Sequence, residues 1–149
     1  MTSKIKIILS VLTLSYISLY TEAQTVFISQ YIETNSGTTP KGIEIFNPTN
    51  NDIVFSSSNN LQVLQGTNGG TCSGIVNITS GTLKPGEVWV IGTSDLTTYA
   101  NSNGTDLSGT TVYAFAFNGD DALQLKLGSV TIDMIGTCGS DPGSAWTGG

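Results

Sequence analysis

From residue 26 onward, apolar side chains alternate with polar ones in short runs, a period of two rather than the three-to-four of a helix. Val26 to Ile32 is the first run, and Gly42-Ile43-Glu44-Ile45-Phe46 alternates cleanly. Asp52 to Phe55, Leu61 to Gln65, Gly74 to Ile78 and Val88 to Ile91 follow. Thr111 to Phe117, Ala122 to Leu127 and Val130 to Ile135 complete the series. Such alternation sends successive side chains to opposite faces of a strand, and β-branched and aromatic residues suit that pleated surface. Turn-forming stretches separate the runs: Asn47 to Asp52, Lys84-Pro85-Gly86-Glu87 and Asn118-Gly119-Asp120. Gly128-Ser129 reads as a two-residue hairpin turn of type II′, with glycine first. About nine short strands spaced by roughly ten residues predict an all-β sandwich or barrel. One short helix is expected, opened by Thr93 or Ser94 and running through Ala100, as a connector outside the core.

The start of the chain has a different pattern. Lys4 and Lys6 precede an apolar stretch from Ile7 to Tyr20, and Thr21-Glu22-Ala23 puts small residues at the −3 and −1 positions of a cleavage site. Residues 1–23 therefore read as a signal peptide, with 24–149 as a single exported domain. The apolar run is shorter than the ~20 residues of a membrane-spanning helix. No cysteine follows it to carry a lipid, so no membrane anchor is expected once the signal is removed.

Charge narrows the functional classes. Hydrophobic residues make up 38% of the chain and charged ones 11%, with a formal net charge of −6. Removal of residues 1–23 leaves three lysines and ten acids, a charge of about −7. There is no arginine and no histidine, and Lys41, Lys84 and Lys126 lie far apart in sequence. A phosphate backbone needs clustered cations, so direct nucleic-acid binding is not expected. Without histidine there is no Ser-His-Asp triad, no Cys-His pair and no histidine-held zinc or iron. Carboxylate chemistry and oxygen-ligated calcium are what remain.

Several residues are candidates within those limits. Cys72 and Cys138 are the only cysteines, and in an oxidising compartment they are expected to pair, with two separate thiols as the alternative. Asp120 and Asp121 follow Asn118-Gly119. They read as turn residues bonding nearby backbone N–H groups or, with Asp133, Asp141, Glu33 or Glu44, as oxygen donors to calcium. Their spacing is not that of an EF-hand loop. Glu33 and Glu44 are the candidate carboxylate pair for glycoside hydrolysis, although nothing in the sequence brings them together. Glu44, flanked by Ile43 and Ile45, should face away from the core. A tryptophan and several tyrosines are candidates for stacking on sugar rings, and Trp89, out of phase with Val88 and Val90, is the one the alternation puts on the exposed face. Asp141-Pro142-Gly143 reads as a type II turn, with Trp146 packed against the sandwich edge. The sequons at Asn77 and Asn103 would matter only in a eukaryotic host.

An ordered set of segments carries a resemblance. Phe27 to Glu33 opens it, Lys41-Gly42-Ile43-Glu44-Ile45-Phe46-Asn47-Pro48-Thr49 follows, and Phe117-Asn118-Gly119-Asp120-Asp121-Ala122-Leu123 stands later. Ile132-Asp133-Met134-Ile135-Gly136 and Asp141-Pro142-Gly143-Ser144-Ala145-Trp146 close it. In this order and spacing the chain, from about residue 25 to its end, resembles the bacterial lamin tail domain. The resemblance implies an immunoglobulin-like β-sandwich in an exported bacterial protein, as an accessory to hydrolases or nucleases or standing alone. It brings no catalytic residues. Two departures stand out: Gln30 occupies a place where the family usually has Glu, and related domains continue past the tryptophan into a final strand. A missing last strand would expose a sheet edge to pairing with another chain.

The expected function is that of a noncatalytic secreted module, without cofactor or metal. It would bind or tether to an extracellular protein or glycan at a cell surface or in a matrix. The alternative expectation is an N-terminal accessory domain of a larger secreted hydrolase or nuclease, with catalysis encoded beyond Gly149.

Overall fold

In the computed structural model, residues 25–34 and 39–146 are described. The segment read as a signal peptide lies outside them. The chain runs through β1 (Phe27–Ile32), β2 (Gly42–Phe46), β3 (Ile53–Val54), β4 (Leu61–Gly66), β5 (Ser73–Ile78), β6 (Thr82–Leu83) and β7 (Val88–Gly92). Helix α1 (Ser94–Asn103), β8 (Leu107–Val112), β9 (Ala122–Leu127) and β10 (Val130–Ile135) follow. These strands form one sheet in the order β1-β2-β7-β8, a second in the order β10-β9-β4-β5, and a small β3-β6 ribbon. The result is the all-β sandwich that the alternation predicts, with β6 added to the nine expected strands.

The inward face of each strand is the one its pattern assigns. Ile43 and Ile45 of β2, Leu61 and Val63 of β4, and Leu123 and Leu125 of β9 are fully buried in a common core. Burying each such side chain favours folding by ~1.5–3 kcal/mol. Glu44 faces the other way, as expected, with its carboxylate accepting from the Ser29 hydroxyl at 2.7 Å. The β9–β10 hairpin turns at Gly128-Ser129, and Gly128 has φ +58°, the positive value that the first position of a type II′ turn requires.

Two expectations are corrected. Trp89 is 8% exposed and belongs to the core, packing edge-on against Phe55 at 5.2 Å. Its indole N–H donates to the Thr111 hydroxyl at 2.9 Å. The phase of β7 is thus the reverse of the one read from sequence: Trp89 and Ile91 point inward, while Val88 and Val90 lie on the face that carries α1. An outward valine pair looked like core because a helix covers it. The run Thr111 to Phe117 is also not one strand. Strand β8 starts earlier, at Leu107, and pairs in parallel with β7. Residues 113–117 cross between the sheets and carry the buried rings of Phe115 and Phe117 into the core.

The β7–α1–β8 crossover gives the one parallel ladder among the described residues, whose other strand pairs are antiparallel. Leu96 seats the helix on Gly42 and Gly92, which stand opposite each other in the β2–β7 ladder. A Cβ at Gly92 would lie 2.6 Å from Leu96 Cδ2. On the far side of the same sheet, β1 is an edge strand with a bulge between Ile28 and Gln30. There the Asp133 carboxylate of β10 reaches across and accepts the Ile28 N–H at 2.7 Å, which closes that corner of the sandwich. No strand follows β10 among the described residues.

Candidate functional site

One pole of the sandwich gathers most of the sequence's candidate residues. Glu33 leaves the end of β1, and Lys41 precedes β2 beside it. The Lys41 ammonium pairs with Glu33 Oε1 at 3.3 Å, lies 5.5 Å from the centre of the Phe117 ring, and donates a hydrogen bond to the Phe117 carbonyl. The Tyr31 hydroxyl donates to Glu33 Oε2 at 3.0 Å. Burial, the Glu33 hydrogen bond and the negative charges of Glu33, Asp121 and Asp120 all push the Tyr31 phenol well above its ordinary pKa. The Lys41 end of this ion pair is buried and its charge is met by specific partners, while the Glu33 side chain stays partly exposed.

The aspartates at this pole do turn chemistry. Asp121 is 1% exposed. Its carboxylate accepts the Asn68 N–H at 2.8 Å and the Asn118 N–H at 3.0 Å, tying the β4–β5 loop to the turn before β9. Its carbonyl accepts the Trp146 indole N–H at 3.1 Å, and that ring covers Gly136. The Asn118 amide, oriented as its neighbours require, donates to Asp120 and Asp121. Asp141 bonds the Gly143 N–H at 2.8 Å, with Gly143 at φ +66°, the positive φ expected of the turn's glycine. Cys72 and Cys138 are joined in a disulfide, with Cα atoms 5.3 Å apart, and fasten the β4–β5 loop to the segment after β10. The calcium alternative finds no assembled site: among the described residues no three acidic or cysteine side chains are grouped to hold a metal. Glu33 and Glu44 are likewise held by different partners, Lys41 and Tyr31 for one and Ser29 for the other.

Besides a shallow depression of about 690 Å³ along α1, lined by Ser94, Thr98 and Ser102, open concave surface lies on the outer face of the β1-β2-β7-β8 sheet. Helix α1 covers β7, β8 and the Gly42 end of β2 and leaves β1 and the rest of β2 uncovered, so a step runs along its flank. A depression of about 290 Å³ occupies this step, floored by Gln30, Ile32, Glu44 and Val88 and walled by Tyr99 and Asn103 of the helix. It is contiguous with a second of about 430 Å³ that shares Glu44, Val88, Asn103 and Leu107 and extends to Phe46 and Asp106. Tyr99 is 67% exposed, the most exposed large apolar residue among those described. Asn103 Nδ2 donates to the Tyr99 carbonyl at 3.0 Å, which fixes the amide at the helix end. Gln30 stands directly opposite Glu44 in the β1–β2 ladder, so an amide and a carboxylate share the floor.

Neither a protein-family model nor a curated protein matches this chain.

The sequence named Glu44 and the wrong aromatic. Trp89 is spent on the core, and the exposed ring is Tyr99, on the segment read only as a connector. Its signal was faint: α1 is weakly amphipathic, so nothing in its periodicity marks which side chain stands clear of the sheet.

Proposed function

We propose that this chain is an exported, noncatalytic binding module of the bacterial lamin tail kind. It tethers to a cell-surface or matrix partner through the groove beside α1. The observation that carries the reading is the division of labour among the polar side chains. The acids of the pole are bound to Lys41, Tyr31 and backbone N–H groups, where they hold loops together. The groove, by contrast, offers an exposed ring and the Gln30 amide, with a carboxylate and an amide whose own partners, the Ser29 hydroxyl and the Tyr99 carbonyl, also lie at the surface.

Three further observations support it. The segments behind the lamin tail resemblance, distant in sequence, meet at the single pole of Glu33, Lys41, Asp121 and Trp146. The disulfide fits an oxidising compartment, and no helix among the described residues is long and apolar enough to cross a membrane. Of the three lysines described, Lys41 is buried in its ion pair, which leaves no basic patch for a polyanion.

The test is sedimentation of the protein, as secreted, with cell-envelope and matrix preparations. Binding should be saturable and should fall about tenfold in Tyr99→Ala and in Glu44→Ala, with thermal melts near wild type. Lack of binding to every envelope, matrix and polymer preparation would overturn the reading.

A further inference from the structure

The groove's chemistry narrows its ligand, on the reading that this surface is where the module binds. Its polar groups both accept and donate. Glu44 and Asp106 only accept, while the Gln30 and Asn103 amides and the Tyr99 hydroxyl do both, one Asn103 N–H being given to the Tyr99 carbonyl. A matching ligand must bring O–H or N–H donors for the carboxylates and acceptors for the amides. Between these groups lie apolar stretches, with Ile32, Val88 and Leu107 beneath the exposed Tyr99 ring. A pyranose presents both surfaces together: a flat C–H face that packs on an aromatic ring, and a rim of hydroxyls that each donate and accept.

Charge disfavours the acidic saccharides. No lysine lines either depression, while Glu44 and Asp106 do, on a chain of net charge −6. A uronate or sulfated sugar would meet repulsion with no cation to offset it. Length is set by continuity: the two depressions share Glu44 at their centre and run together from Gln30 to Asp106. That is a trough open along the sheet, suited to a chain rather than a single ring. The backbone of its floor strand β2 is used in ladders on both sides, so that strand meets the ligand through its side chains.

We propose that the groove between α1 and the β1-β2 face binds an uncharged polysaccharide, stacked on Tyr99 and hydrogen-bonded by Glu44, Gln30 and Asn103. Calorimetric titration of the secreted protein with cellohexaose, N-acetylchitohexaose and polygalacturonate tests it. At least one uncharged hexasaccharide should bind. Affinity should fall about fivefold to tenfold in Tyr99→Ala, stay within about twofold in Tyr99→Phe, and fall about tenfold in Glu44→Ala. Polygalacturonate should give no heat. Absence of binding by both neutral probes at millimolar concentration, binding indifferent to Tyr99→Ala, or equal binding of polygalacturonate would overturn the proposal. Envelope sedimentation run alongside separates the two levels. If envelope binding needs Tyr99 and Glu44 but is abolished by protease treatment of the envelope and untouched by hexasaccharide, the partner is a protein. The polysaccharide proposal then falls while the binding role stands. If neither substitution changes envelope binding, both fall.

Discussion

Tyr31 shows how one side chain records its surroundings. Its ring lies 4.6 Å from that of Phe117, and its hydroxyl donates to Glu33. Ionising it would strip the hydrogen bond of its proton and put a second negative charge beside Glu33. Burial first, then Glu33 as hydrogen-bond partner and charge, therefore raise its pKa in the folded state above the ordinary value of 10.0. The sign follows from linkage: below pH 10 the phenol is neutral in both states and its contribution is whole. As pH rises past that point the unfolded chain sheds the proton more readily, and stability is lost toward the raised folded value. Urea titrations between pH 8 and 11.5 should show the loss, and Tyr31→Phe should flatten it while costing ~1 kcal/mol at pH 8 for the missing hydrogen bond. An alkaline slope unchanged in Tyr31→Phe would mean that other phenols govern it. Glycine acts at the same scale by omission. Gly109 and Gly81 leave the space into which the Trp89 ring fits, since a Cβ would come within 2.7 Å of the ring at the first and 2.6 Å at the second.

At the scale of elements, α1 depends on a similar gap. Gly42 and Gly92 form a flat place on adjoining strands, and Leu96 fills it. The helix has a poor cap of its own: Thr93 makes no side-chain cap bond, its hydroxyl accepting the Lys41 N–H at 3.1 Å instead. Asp95 in the first turn is held below its ordinary pKa, chiefly by the Thr93 hydroxyl. Gly92→Ala should thus lift α1 by pushing on Leu96, and press on the Lys41 carbonyl as well, at a cost of ~1–3 kcal/mol. Hydrogen exchange should quicken across 94–103 while β9 and β4 keep their protection, and ligand affinity should drop because Tyr99 moves. Uniform exchange across the chain would contradict a local seat. The same element explains what could be read in the sequence. Strands β2, β9 and β10 matched their runs end to end, because each has one face in the core and one toward solvent, so alternation reports burial directly. Strands β7 and β8 did not. Val88 and Val90 are outward but covered by the helix, and Leu107-Ser108-Gly109-Thr110 is too polar to announce a strand until β7 lends it a parallel partner. The site inherited that blind spot, since it lies where the helix meets the sheet. The structural pole, in contrast, could be found from local turn chemistry at Asn118 to Asp121 and from the two cysteines.

Across the whole molecule, the pole is where distant segments are tied, and the disulfide is its covalent tie, joining residues 66 apart. It does not act alone. Gly139 N–H donates to the Gly70 carbonyl at 2.9 Å, Asp121 holds the Asn68 N–H at 2.8 Å, and Trp146 caps the Asp121 carbonyl at 3.1 Å. These bonds fasten the β4–β5 loop to the residues after β10, the two segments that the cysteines also link. In the chain-entropy view, a loop of this length restricts the unfolded state by ~4 kcal/mol, a sizeable part of the 5–15 kcal/mol by which domains are stable. Replacing both cysteines by alanine should therefore lower stability by ~2–4 kcal/mol in urea melts, with the circular dichroism of a β-sandwich retained below the transition. The hydrogen bonds that remain predict where the loss is felt: exchange should rise first at 67–72 and 136–146, while the groove at the flank of α1 keeps its shape. Ligand affinity in the alanine double variant should then stay within about twofold of wild type at temperatures well below its melt. A matching collapse of affinity would mean that the pole and the groove are coupled, and that the ties at one end of the sandwich set the geometry of the face along its side.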